Sequence, residues 1–319
     1  MKKTCASILL LFVFALPFLS AAACGTRRPS KPRIAVIPKG TTFTFWQSVY
    51  SGAKAAGYEF GYDINFNGPE RETDRERQIQ IIEDFIMQGV DGIVLAPLDR
   101  KALVPSVLKL ASLKIPCVII DSDIETDRYI TFAATVNYDG GVLAARRMGA
   151  ILGGKGRILV LKYTQGSGST TDRENGFIET VEKEFPGIRI VDTRYALDTV
   201  ETALQATEDL LTRNRDVQGL FAPNISSSVG ALRALLSQKR TEVKMVGFDA
   251  EKALVEAVRA GQIDALVVQN PYRMGYEGVK AVVDNLKGKS VPRRIDTGVK
   301  LITQANINDP DVRDLLNSQ

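Results

Sequence analysis

The residues of this chain that could do chemistry are few in kind and far apart in sequence. They are Lys39, Asp121, Asn137, Arg173, Asn224, Asp249 and Gln269, with the adjacent aromatic pair Phe45 and Trp46. Most of the polar ones stand just beyond a short apolar run. Taken singly, an Asp, Asn or Ser after a strand is an ordinary helix cap, and Phe45 and Trp46 are ordinary core residues. As a set they offer carboxylates, amides and a guanidinium, which match hydroxyl groups that both donate and accept. Trp46 is the only Trp in the chain, and an aromatic face of this kind stacks on the C–H face of a sugar ring. The chemistry suggested is recognition of a hydroxyl-rich ring.

Two absences narrow the field. The 319 residues contain no His, which removes the His-based triad, the His metal ligand and the imidazole general base. Of the three Cys, Cys5 and Cys24 lie in the N-terminal leader. Cys117 lies in the apolar stretch from Ile115 to Ile120, where it reads as a core residue with no partner for an internal disulfide. The net charge of +4 is spread over alternating signs. Arg27-Arg28 and the Lys31–Arg33 stretch lie in a Pro-rich tether and read as solvated linker, not as a nucleic-acid site.

Positioning such a scattered set requires an alternating α/β chain. Ile34 to Ile37, Gly92 to Ala96 and Pro116 to Ile120 are continuous apolar runs, the pattern of strands covered on both faces of a parallel sheet. Between them, Phe45, Val49, Ala53 and Ala56 recur at helical spacing up to Gly57, and a second helix runs from about Thr73 to a stop at Gly89. Val104 to Leu113 is the next helix. The rhythm resumes with strands at Arg157–Leu161, Ile188–Val191, Gly219–Ala222, Val243–Val246 and Ala265–Val268. The phrase Gly92-Ile93-Val94-Leu95-Ala96-Pro97 is echoed by Gly219-Leu220-Phe221-Ala222-Pro223, which predicts two similarly built halves of right-handed βαβ units. Ligands of open parallel sheets sit beyond the carboxyl ends of the strands, where the polar set lies.

The first 24 residues have the order of an export signal: Lys2-Lys3, an apolar run from Ile8 to Leu19, then Ala21-Ala22-Ala23 before Cys24. The apolar part is short for a membrane span. Cys24 after small residues resembles a bacterial lipobox and is a lipidation candidate, although Ala21 stands where Leu is usual; ordinary cleavage after Ala23 is the alternative. Residues 25–32 read as the tether.

The enzyme readings fail on local detail. Lys39-Gly40-Thr41-Thr42-Phe43 lacks the glycines of a dinucleotide-binding turn. Gly166-Ser167-Gly168-Ser169 lacks the Gly-Lys-Ser/Thr ending of a phosphate loop and reads as a flexible connection. Asp121 and Asp249, from opposite halves, suit hydroxyl acceptance better than the paired carboxylates of a glycosidase.

The stretches Ile34–Trp46, Val118–Asp121, Asn137–Gly141, Thr171–Phe177, Phe221–Asn224, Val246–Asp249 and Val267–Gln269 together carry a family resemblance. Over nearly all of 33–305 the chain resembles the periplasmic sugar-binding proteins of ABC transporters in the ribose-binding, type I class. The resemblance implies two doubly wound parallel-sheet lobes joined by a hinge of three crossings, near Val136–Asn137, Gln269–Asn270 and Gly298. The lobes would be 33–136 plus 270–298, and 137–269 plus 299–319. It implies a monosaccharide ligand between them, with Phe45 and Trp46 clamping the ring. Asp121, Arg173, Asn224, Asp249 and Gln269 would bind its hydroxyls, and Asn137 would sit at the crossing near the ligand. It further implies a periplasmic or other extracytoplasmic monomer with no catalysis, cofactor or metal, whose partner is an ABC permease or, alternatively, a sensory membrane receptor. A repressor of the same two-lobed plan would start with a helix-turn-helix rather than an export signal. Departures from the ribose pattern are Ser122 for Arg, Lys39 for a small polar residue and Phe43 for Asn. Lys39 either places a second positive charge in the cleft or covers its rim.

Overall fold

The computed structural model describes residues 31–318; the leader at 1–24, Cys24 and most of the tether lie outside the described residues. From Arg33 the chain forms β1 (Arg33–Ile37), α1 (Thr44–Phe60), β2 (Asp63–Phe66), α2 (Arg75–Met87), β3 (Gly92–Leu95), α3 (Val104–Ser112), β4 (Cys117–Ile120) and β5 (Phe132–Ala134). There follow α4 (Asn137–Ile151), β6 (Lys155–Lys162), α5 (Gly168–Glu184), β7 (Gly187–Tyr195), α6 (Val200–Arg213), β8 (Gly219–Phe221), α7 (Ile225–Ser237), β9 (Lys244–Phe248), α8 (Lys252–Arg259) and β10 (Ala265–Gln269). The chain ends with α9 (Pro271–Leu286), β11 (Arg294–Asp296), β12 (Val299–Ile302) and α10 (Pro310–Asn317).

These strands make two six-stranded sheets, ordered β11-β5-β4-β3-β1-β2 and β12-β10-β9-β8-β6-β7. The fold is the α/β arrangement of two doubly wound sheets that the resemblance implies, and the apolar runs supply its central strands. The orders superimpose, so β3 and β8, which carry the echoed phrase, hold equivalent places. All pairings in the first sheet are parallel, while β12 runs antiparallel to β10 at the edge of the second. Each sheet with its packed helices is a lobe. The chain passes between sheets after β5, after β10 and between β11 and β12, where Gly298 takes the left-handed φ of 85°.

The central strands form because their Val, Ile and Leu side chains are fully buried on both faces, each worth about 1.5–3 kcal/mol against exposure. Cys117 is among them, in the core of the first lobe, where burial pushes its thiol up to about 12. Both lobes also rely on very close helix crossings. In the first, α1 meets α9 through Gly52 and Gly275. In the second, α4 meets α5 at Gly141, where an added Cβ would lie 2.1 Å from the Arg173 carbonyl oxygen. Any side chain there would push Arg173 out of place.

Several short elements differ from the sequence reading. α1 runs through Gly57 to Phe60 because the left-handed stop is Gly61 (φ 80°). The strands β2, β5, β11 and β12 are too short, or too weakly apolar, to stand out as buried runs. The stretch 166–169, expected as a flexible connection, is a turn leading into the first helical turn of α5, and Ser167, Ser169 and the following Thr170 are buried.

Candidate functional site

The carboxyl ends of both sheets face a common small cavity lined by residues of both lobes, the concave kind of place where small-molecule sites occur. Its walls carry five charged side chains: Lys39, Glu72 and Asp121 from the first lobe, Arg173 and Asp249 from the second. So many charges are brought together only where they satisfy one another or a ligand.

Asp121 follows β4 and Asp249 follows β9, equivalent strands in the two lobes. Both adopt left-handed backbone, with φ of 59° and 66°, a conformation that Asp tolerates better than most residues. The turn aims each carboxylate back over its sheet edge. Asp121 pairs with Lys39 at 2.7 Å. Lys39, buried rather than on the rim, also donates to Ser122 Oγ at 2.5 Å and to Ser169 Oγ of the second lobe at 3.0 Å. All three ammonium protons are thereby engaged. Asp249 accepts from Gln269 Nε2 at 2.7 Å. Burial raises its carboxyl above the ordinary range, against the opposing pull of Arg173.

Arg173 stands between these carboxylates on α5. Its Nη2 is 4.0 Å from Asp121 Oδ1 and its Nη1 4.0 Å from Asp249 Oδ2, ion-pair distances but beyond hydrogen-bond reach. Its Nη1 donates to the Pro223 carbonyl at 3.0 Å, and the guanidinium lies 4.4 Å over the Phe248 ring. The Nη2 atom has no hydrogen-bond partner among the described residues. The ion pairs with Glu174 or Glu179 that a surface Arg would make are absent; Glu174 instead accepts from the Tyr163 amide, and Glu179 from the Tyr138 hydroxyl.

Phe45 and Trp46 enter from the first turn of α1, their rings edge to face at 4.9 Å. Asn224 lines the opposite wall as the N-cap of α7, so it serves both as cap and as cavity residue. Asn137 stands at the crossing between the lobes. It does not line the cavity but stands behind it, donating to the Asp121 carbonyl at 3.0 Å and accepting from Arg173 Nε at 2.9 Å. At the start of α4 its amide can span the crossing between sheets, so it orients one charged group of each lobe.

The cavity also includes residues that the sequence reading does not assign to the ligand: Glu72, Tyr163, Ser169, Thr170 and Ile225. Tyr163 directly follows β6, a position the strand-end rule could have flagged. Glu72 lies in the loop before α2 and has no comparable signal. Its carboxyl is raised by burial, with Lys39, Trp46 and Tyr163 acting in the opposite direction.

The chain matches the periplasmic binding protein domain model over residues 34–290. The ribose import binding protein of Bacillus subtilis is 28% identical over 311 residues, covering 95% of this chain and 100% of that protein. Two solved structures share its architecture. One is a carbohydrate transporter solute binding protein from Agrobacterium radiobacter in complex with D-arabinose, with 34% identity, a TM-score of 0.88 and coverage of 91% and 100% of the two chains. The other is an ABC transporter solute binding protein from Agrobacterium vitis with bound D-fucose, with 38% identity, a TM-score of 0.86 and coverage of 89% and 99%. With two equivalent sheets facing one small polar cavity, this chain belongs to the periplasmic binding protein domain family, in its type I form, a family of extracytoplasmic solute-binding proteins.

Proposed function

We propose that this protein captures one monosaccharide between its lobes and delivers it, chemically unchanged, to an ABC permease. The observation that carries the reading is the Arg173 guanidinium, buried between a carboxylate from each lobe with Nη2 still lacking a hydrogen-bond partner. A ring hydroxyl placed there accepts from Arg173 and donates to Asp121, satisfying groups of both lobes at once. Such two-sided contact is the differential interaction that favours a closed form over an open one. Phe45 and Trp46 supply the stacking wall; Asn224 and Gln269 supply further amide partners. Asn137 positions Asp121 and Arg173, and Lys39 neutralises Asp121. The sugars bound by relatives support the same class of ligand.

The lobes are 33–136 plus 270–298 and 137–269 plus 299–319, opening about the three crossings. The protein works as a monomer outside the cytoplasm, tethered through an acyl group on Cys24. Metabolic labelling with a fatty-acid probe tests the anchor: wild type takes up label and Cys24→Ser does not, whereas an unlabelled wild type leaves a freely soluble protein.

Calorimetric titration with D-ribose, D-arabinose and D-fucose tests the main reading. The expected result is one-to-one binding of at least one of them, with the sugar recovered intact. Conversion of the sugar overturns the transport reading.

A further inference from the structure

Glu72 is explained neither by the strand-end rule nor by the matching of hydroxyls. Its two carboxylate oxygens take donors from different lobes. Oε1 accepts from Trp46 Nε1 at 2.6 Å, and Oε2 accepts from the Tyr163 hydroxyl at 2.8 Å. Trp46 belongs to the first lobe; Tyr163, at the exit of β6, belongs to the second. The approach of Glu72 depends on Gly40, where an added Cβ would lie 2.8 Å from Glu72 Cγ. The indole N–H is a donor only, so a single acceptor at its edge fixes the rotation of the whole ring.

The residues on either side of Glu72 have a different task. Arg71 donates to both carboxylate oxygens of Asp198 in the second lobe, at 2.8 and 3.2 Å, and the Thr73 hydroxyl donates to the same carboxylate at 2.9 Å. These bonds hold the loop against the second lobe without Glu72. The Glu72 carboxylate is left directed at the two rings. Tyr163 remains a donor, because burial and the neighbouring carboxylate hold its hydroxyl well above the ordinary phenol range.

We propose that Glu72 is a positioning residue that sets the plane of the Trp46 ring and, through the Tyr163 hydroxyl, ties that plane to closure of the second lobe. The proposal rests on the reading of Trp46 as the wall on which the sugar ring stacks. It makes ring selection and lobe closure a single event: a ring that tilts the indole also strains the bond from Trp46 to Glu72 and the bond from Tyr163 that closure adds.

Because Trp46 is the sole Trp, one indole N–H resonance reports it in a nitrogen-15 spectrum. Glu72→Gln is expected to move that resonance upfield in the sugar-free protein. It should also weaken binding of D-ribose, D-arabinose or D-fucose by roughly tenfold to a hundredfold, the range for losing a hydrogen bond to a charged group. Tyr163→Phe should leave the sugar-free resonance in place, shift it in the sugar-saturated protein and weaken binding as well. Asp198→Asn, which loosens the same loop, should leave the indole resonance unmoved. An unmoved resonance in Glu72→Gln, or affinities within twofold of wild type in both Glu72→Gln and Tyr163→Phe, overturns the proposal. If the wild type binds none of the three sugars, the functional reading fails and the platform role falls with it; the sugar-free resonance still shows separately whether Glu72 holds the ring.

Discussion

The two lobes place a carboxylate at the same point of the same fold and then treat it differently. Asp121 and Asp249 both follow the fourth strand of their lobe and both take left-handed backbone. Asp121 is met by an ammonium group at 2.7 Å, so its charge is balanced within its own lobe. Asp249 is met by a neutral amide at 2.7 Å, and its nearest cation is 4.0 Å away. The strand exits preceding them diverge in parallel, with Lys39 beyond β1 and Tyr163 beyond β6. Topology therefore fixes where each acidic group stands, and the side chain that meets it fixes how strongly it is neutralised. The first lobe meets its aspartate with an ion pair; the second meets its aspartate with an amide and leaves the Arg173 Nη2 without a hydrogen-bond partner among the described residues.

The largest effect should come from removing that ion pair. Lys39→Ala leaves Asp121 with only the more distant Arg173 in a cavity that also holds Glu72 and Asp249, and removing one partner of a buried pair costs about 3–5 kcal/mol. The loss should appear as weaker sugar binding in calorimetry, because an opened cleft lets water solvate Asp121. Gln269→Ala, its counterpart in the second lobe, should cost only about 1–3 kcal/mol. The reverse order would break the comparison.

Arg173→Ala should weaken binding by about 2–5 kcal/mol, partly because the carboxylates of both lobes lose their shared cation. A loss below tenfold would mean that the guanidinium braces Phe248 and Pro223 rather than meeting the ligand.

A third effect sharpens the asymmetry through pH. Burial raises the Glu174 carboxyl of the second lobe from 4.5 to about 7. The folded protein keeps that proton where the unfolded chain has released it. Stability from this group is therefore present below pH 4.5, falls as pH rises towards about 7 and is flat above, a change of about 3 kcal/mol. Glu174→Gln can still accept from the Tyr163 amide and should be more stable than wild type at pH 8 by about that amount, with the gap closing by pH 4. A gap independent of pH in denaturant titrations would contradict the assignment. The smallest effect is expected at the stacking wall, where Trp46→Ala should weaken sugar binding by about 1–3 kcal/mol; unchanged affinity would place the ring in the core alone.

The sequence is most readable where one physical signal dominates. The apolar runs at β1, β3, β4, β8, β9 and β10 mark buried strands, and the residues at or just beyond their carboxyl ends include Lys39, Asp121, Asn224, Asp249 and Gln269. Edge strands carry a weaker signal: β2 reads Asp-Ile-Asn-Phe, and β11 is three residues with an exposed Arg at one end and an exposed Asp at the other. The buried Ser169 and Thr170 were hidden by composition, since Gly, Ser and Thr suit a mobile loop and also the first turn of a helix pinned by Lys39 and Ser122. Glu72 was hidden for a different reason. A carboxylate beside Arg71 and Asp74 looks solvated until the fold brings Trp46 and Tyr163 to it.

The most direct test of a ligand bridging the lobes is thermal unfolding of the protein with and without a bound sugar. With D-ribose, D-arabinose or D-fucose at a hundred times its Kd, the stabilisation should be about 2.7 kcal/mol. It should raise the unfolding of both lobes together, because each supplies part of the site. A shift confined to one of two separable transitions, or no shift with any of the three sugars at saturating concentration, would contradict capture between the lobes.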